Sequence, residues 1–408
     1  MFHQNRHSGE SRNPAFFSRP IKRNAGLRWH NGTLAGLILT VLLGAAQPAA
    51  AEILIGAAGP FSGPNAALGE QLRRGVQMAV DDINATGGIR GEPLSLKFAD
   101  DGCDPRKAVE VATGLVSAGV KLVAGHYCSG ASIPASKVYE RASIVQISPA
   151  STHPKFTGEG SWNVIRLAPR DDAQGAAAAQ LVLDHFRDRK IAILSDQSAA
   201  ATQLAARFRE GLAAAGLKPV LDEPYKPGAK AYPELAQRLA TAGTQVVYLA
   251  GSYVEGAVIV RELREAGSTA QFISTDALVN EDFWNVAKDA GEGTLMSFTY
   301  DVRKLQSARP VLDRFREADY SAEGFTLYAY AAIQAYVAAV EATGTTDATR
   351  IAEWLRGGNR INTAVGEVSF DAKGDLRQPK LAWFKWVNGR YTEIDPATLE
   401  PPVLDTTP

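Results

Sequence analysis

The chain has 408 residues, 45% hydrophobic and 21% charged, which is long for one ordinary domain and enough for a sizeable core. Lys+Arg total 43 against Asp+Glu 44, a formal charge of −1, so nothing supports the basic stripe of a nucleic-acid-binding surface. Two cysteines, Cys103 and Cys128, exclude a disulfide-dense scaffold and a cysteine-rich zinc site.

Six bases and one acid precede residue 33, an apolar run follows at 34–46, and small residues close it at 49–51. Basic, apolar, small is the order of a secretory leader, and the run is short for a bilayer span. We therefore expect residues 1–51 to be a leader cleaved before Glu52; an uncleaved anchor is the alternative. No cysteine stands directly after the apolar run, so no lipid anchor is indicated. Loss of the leader shifts the formal charge from −1 to −6. Export would place both cysteines where disulfides persist.

After the leader, residues 53–56 read as a buried strand and 59–64 as a Gly/Pro/Ser turn. Leu72, Val76, Ala79, Val80 and Ile83 then fall at helical spacing, and Gly87-Gly88 stops the helix. Residues 94–98 alternate as a strand, 105–118 read as a helix, 120–124 as a strand, 132–141 as a helix and 144–147 as a strand. The rhythm repeats from 190: strands at 190–194, 218–221, 245–250 and 272–274, and helices at 202–216, 232–243 and 253–267. Helices at 326–343 and 348–357 and a β-rich end including 381–387 complete the chain. Alternation of this kind predicts α/β architecture with two doubly wound parallel sheets, the break falling at 170–174.

Cys103 and Cys128 follow strands that should be neighbours, both at the carboxyl edge, so a disulfide is expected; two free buried thiols are the alternative. Ligands bind at that edge in open parallel sheets. The loop 125–132 (G-H-Y-C-S-G-A-S) joins a strand to a helix and offers Ser129 beside free N–H groups, which suits an anion; Ser129 or Ser132 as a plain helix cap is the alternative. The loop 148–154 (S-P-A-S-T-H-P) adds hydroxyls after the next strand. Asp276 follows 272–274 and could meet an ammonium, or serve as a cap. His126 and His153 flank these loops as possible bases, with structural roles the simpler reading. Nucleophile elbow, H-E-x-x-H, P-loop and G-x-G-x-x-G patterns are all missing, so neither an enzyme nor a metal or cofactor is expected.

In these segments the chain resembles the periplasmic substrate-binding proteins of branched-chain amino-acid ABC transporters, the leucine/isoleucine/valine-binding type. The carrying segments are I-G-A-A-G-P-F-S-G-P (55–64), D-I-N-A-T-G-G-I-R-G (82–91), D-D-G-C-D-P (100–105), G-H-Y-C-S (125–129), I-S-P-A-S-T-H-P (147–154) and F-D-A-K-G-D-L (370–376). The resemblance implies two α/β lobes joined by a three-strand hinge. The first lobe would be 52–170 plus 300–377 and the second 171–299 plus 378–400, with a tail at 401–408. The crossings would fall near 168–171, 298–300 and 376–378. It implies a periplasmic monomer that takes an amino acid between the lobes and hands it to an inner-membrane ABC permease. Alternatives are a receptor for a non-amino carboxylate such as an aromatic acid, a ligand sensor, a secreted hydrolase or a structural envelope protein.

Matching positions give the ligand's carboxylate Ser129, Ala150, Ser151 and Thr152, its ammonium Asp276, and the first-lobe disulfide Cys103–Cys128. Four positions depart from the pattern: Leu68 replaces an aromatic, and Ala200, Ser252 and Phe325 replace tyrosines. The resemblance thus implies the amino-acid clamp but less ring surface around the ligand's side chain.

Overall fold

The computed structural model describes residues 52–159 and 161–401. The leader reading and nearly all of the 401–408 tail lie outside them.

Five strands, β1 (Ile53–Gly59), β2 (Leu94–Asp100), β3 (Leu122–Gly125), β4 (Val145–Ser148) and β5 (Val164–Arg166), form a parallel sheet in the order β2-β1-β3-β4-β5. β3 and β4 are buried at every residue and β1 at nearly every one, which explains why these strands read as continuous apolar runs. The helices α1 (Ala66–Ala85), α2 (Pro105–Ser117), α3 (Ser129–Arg141) and the single turn α4 (Lys155–Gly158) connect them. Leu72, Val76, Ala79 and Val80 form the buried stripe of α1.

The chain then enters a second sheet through α5 (Asp171–His185). Strands β6 (Ile191–Ser195), β7 (Leu221–Pro224), β8 (Val246–Ala250), β9 (Gln271–Ser274) and β10 (Leu295–Thr299) run parallel. Helices α6 (Ala199–Ala214), α7 (Pro233–Thr241), α8 (Tyr253–Glu265) and α9 (Glu281–Ala287) link them. From β10 the chain returns through α10 (Arg309–Glu317) to α11 (Thr326–Thr343) and α12 (Ala348–Arg356), which pack on the first sheet. Gly75 of α1 lets α11 approach, since a Cβ there would lie 2.2 Å from Thr326 O. A small hairpin, β11 (Ile361–Thr363) and β12 (Gly366–Val368), precedes the last passage back to the second sheet. There β13 (Leu381–Val387) and β14 (Arg390–Ile394) add an antiparallel edge, giving the order β14-β13-β10-β9-β8-β6-β7. The chain therefore passes between the sheets three times.

Several expected boundaries shift, among them the first strand, which runs on to Gly59. The helix expected at 132–141 begins at Ser129, and the one expected at 202–216 begins at Ala199 behind the Ser198 cap. The strand expected at 218–221 begins at Leu221. Gly216 takes a left-handed turn at φ 77° and Leu217 N–H closes on Leu212 O, which delays pairing.

Candidate functional site

In a parallel sheet every strand ends at the same edge, and the helix that follows starts there with unsatisfied N–H groups. Both sheets bring that edge to one cavity of about 220 Å³. Its wall includes Asn65 and Leu68 after β1, Cys103 after β2, Tyr127 to Gly130 after β3, and Ala150 and Thr152 after β4. The opposite wall has Asp196 and Ser198 to Ala201 after β6, Gly251 and Ser252 after β8, and Thr275 to Ala277 after β9. Asp171, the first residue of α5, completes it. At the mouth the Tyr253 hydroxyl donates to Pro64 O at 3.0 Å, joining the two sides. A larger open groove of about 910 Å³ lies between α5 and α6, but its charged residues are exposed or half-exposed, whereas the cavity holds the fully buried Asp171.

Ser129 is the first residue of α3, and neither it nor Ser132 caps the helix. Its Oγ accepts the N–H groups of Thr152 and His153, each at 3.1 Å. With both acceptor sites used, the hydroxyl proton is left to donate into the cavity. Asp171 N–H binds Thr152 O at 2.9 Å, so the Thr152 backbone is held on both sides. These hydroxyls and the α3 N-terminus suit a carboxylate.

Three carboxyls line the cavity, Asp171, Asp196 and Asp276, and among the described residues no Lys, Arg or His does. Asp276 Oδ1 accepts Gln174 Nε2 at 2.8 Å, and Ser297 in turn donates to Gln174 Oε1. Burial raises the Asp276 carboxyl to about 6. Asp171 is fully buried and neither oxygen has a hydrogen-bond partner among the described residues. Burial first, and the Asp276 charge second, push Asp171 well above the usual carboxylate range, with the Arg166 charge acting the other way. Asp196 is raised by burial as well, although Ser198 N–H donates to it at 2.8 Å. A buried carboxylate is costly unless a cation or a proton meets it, so this wall fits a cationic group.

Of the expected site residues, Leu68, Ser129, Ala150, Thr152, Ser252 and Asp276 reach the cavity. Ser252 also caps α8 through Val254 N–H. Ser151 and Phe325 stand behind the wall. Ser151 Oγ is taken by Ser132 Oγ and by Tyr127 O. Phe325 is 2% exposed and packs edge-on against Tyr127 at 5.8 Å, so Tyr127 presents the ring there instead. Tyr127 is fixed by its hydroxyl, which donates to Gln71 Oε1 at 2.9 Å. Cys103 and Cys128 are joined, with Cα atoms 5.5 Å apart. His126 is spent on Asp101 at 2.6 Å and Tyr139 at 2.9 Å, fully buried, and His153 Nδ1 accepts Lys155 N–H. Asp171, Asp196 and Tyr127 were not foreseen. The signal for Asp196 was an acid directly after a strand, the same one that marked Asp276.

Two sheets sharing one enclosed site at facing carboxyl edges define the class of two-lobed solute-binding proteins. The pattern of the periplasmic binding protein family matches residues 52–390, and the chain belongs to that family. It is 37% identical over 363 residues to Leu/Ile/Val-binding protein homolog 1 of Brucella suis, covering 88% of this chain and 98% of the relative. To the amino acid binding protein of Pseudomonas aeruginosa it is 38% identical over 373 residues, covering 90% and 98%. Among solved structures it is similar to the branched-chain amino acid transporter substrate binding protein of Streptococcus pneumoniae in complex with isoleucine. That match has a TM-score of 0.76 and 25% identity, and covers 84% of this chain and 99% of the other.

Proposed function

We propose that the protein is an extracytoplasmic receptor that captures an α-amino acid in this cavity and delivers it to an ABC permease in the inner membrane. The observation that carries the reading is the charge pattern of the wall: the Ser129 hydroxyl, the Thr152 hydroxyl and the start of α3 share one cavity with the carboxyls Asp171, fully buried, and Asp276, partly buried. An α-amino acid carries the complementary pair of charges at fixed spacing. Its carboxylate takes the hydroxyls and the start of α3, and its ammonium sits between Asp171 and Asp276. Ala150 passes close to the ligand's polar end, and Leu68, Ala200 and Ser252 face its side chain. We take the lobes as 52–170 plus 300–377 and 171–299 plus 378–400, closing about the three passages between sheets. The names of the Brucella and Pseudomonas relatives support an amino acid as cargo. The reading is one of binding; the cavity's polar groups are placed to match charge.

A thermal-shift screen of the twenty amino acids, their des-amino analogues and benzoates tests this. At 100 times its Kd a binder stabilises by about 2.7 kcal/mol. An amino acid that stabilises is the expected result; stabilisation only by acids without an amine would contradict it.

A further inference from the structure

Behind the cavity lies a buried charge network that none of the lining residues belongs to. Arg166, at the end of β5, is fully buried and uses all five N–H groups. Nη1 donates to Ser151 O at 3.2 Å and His153 O at 2.8 Å. Nε donates to Asp375 Oδ1 at 2.9 Å, and Nη2 to that oxygen and to Thr157 Oγ1. Thr157 donates in turn to Asp375 at 2.8 Å. The other Asp375 oxygen accepts Arg170 Nη1 at 3.1 Å, and Arg170 forks onto Asp172 at 3.0 and 2.8 Å. The charges balance, two arginines against two aspartates. Burial alone would raise Asp375, but the Arg166 charge reverses it and holds the carboxyl below its usual range.

What this network touches is more specific than a core contact. The two carbonyls on Arg166 flank Thr152, and Asp172 follows Asp171 at the start of α5. Asp375 comes from the chain's last passage between the sheets, and its loop docks on β5 through Arg166 N–H to Gly374 O at 2.8 Å. A Cβ on Gly374 would lie 2.1 Å from Val164 O, so glycine sets that approach.

We infer that Arg166, Asp375, Thr157 and Arg170 are positioning residues that hold Thr152 and Asp171, which are themselves joined by the Asp171 N–H to Thr152 O bond, in one register for the ligand. The inference rests on the amino-acid reading of the site. Through Asp375 it also ties the ligand groups to the segment about which the two sheets are joined, so that closure and recognition share one set of contacts.

The test uses Asp375→Asn, Arg170→Gln, Thr157→Val and Thr157→Ser in the full chain, with L-leucine as the calorimetric probe and amide hydrogen exchange on the ligand-free protein. Asp375→Asn, Arg170→Gln and Thr157→Val should each weaken L-leucine by about tenfold, and Thr157→Ser should restore affinity. Amides of Thr152, His153 and Asp171 should exchange faster in the weakened variants than in wild type. If Asp375→Asn does not fold, Arg170→Gln decides, since that side chain is 31% exposed. Variants that melt earlier but keep both L-leucine affinity and exchange at those three amides would overturn the role, leaving a structural network only. If wild type binds neither L-leucine nor any other amino acid, the ligand reading fails by itself, and the exchange measurement judges the network.

Discussion

The wall after the first sheet is tied down by the Cys103–Cys128 disulfide, by two N–H groups on Ser129 Oγ and by Arg166 on the carbonyls around Thr152. The wall after the second sheet is made largely of small residues, Ala199, Ala200, Ala201, Gly251 and Ser252, with Asp276 and Asp196 among them. The contrast follows from what each wall meets in the proposed complex. The ligand's carboxylate is the same in every amino acid and rewards fixed geometry, whereas its side chain varies and needs room. The second wall combines the two demands, a fixed acid beside open space.

The largest expected effect comes from the acid. Asp276→Asn keeps the size but removes the charge opposite the ligand's ammonium, and should cost about 2–5 kcal/mol of binding, read by calorimetry. Unchanged affinity would mean that the second wall contributes space and no charge. Next, Ser129→Ala and Thr152→Ala should each weaken binding by about 1–3 kcal/mol. Ser129→Ala should also lower the melting temperature of the ligand-free protein, because it strands the Thr152 and His153 amides. Equal melting for both variants would count against the tied-down first wall.

The pH dependence sharpens the same comparison. Burial holds the Asp276 carboxyl at about 6 in the folded protein. A raised carboxyl favours the folded state at low pH, and its contribution is lost as pH rises through about 6. The ligand's ammonium prefers the ionised acid, so affinity should rise with pH up to about 6 and then level, with a slope of up to about tenfold per unit below it. A flat Kd between pH 4.5 and 7 would show that no proton leaves the pair on binding. The smallest effect belongs to the variable side: Ala200→Leu should disfavour larger amino acids while leaving glycine within about 1 kcal/mol of wild type. Equal losses for glycine and leucine would place Ala200 beside the ligand's charged end instead.

The sequence was informative at most places where chemistry followed a strand, Asp196 directly after β6 being a miss. Ser129, Thr152 and Asp276 were readable because an apolar run ending in a polar loop fixes the carboxyl edge; the cysteines do meet at that edge, but the strands before them are not neighbours, since β1 lies between β2 and β3. The helix at 326–343 and the strand at 381–387 were also placed at their observed bounds. Asp171 was taken as part of a linker, since nothing local shows that residue 171 is closed over by the second sheet. The Arg166–Asp375 pair spans 209 residues and leaves no periodic trace. Phe325 was assigned by matching position alone, which does not say that Tyr127 stands in front of its ring. One missed feature was legible: Asn388 and Gly389, both at positive φ, form the two-residue turn between β13 and β14.

The central claim is that an amino acid spans the cavity with its carboxylate on the first wall and its ammonium between Asp171 and Asp276. Its most direct test is paired calorimetry of the best amino-acid ligand and its des-amino analogue on wild type and Asp276→Asn. The account predicts that the analogue loses most of the affinity on wild type, and that Asp276→Asn narrows the gap between the two ligands. Equal affinity of the two ligands for wild type, with an indifferent Asp276→Asn, would contradict it.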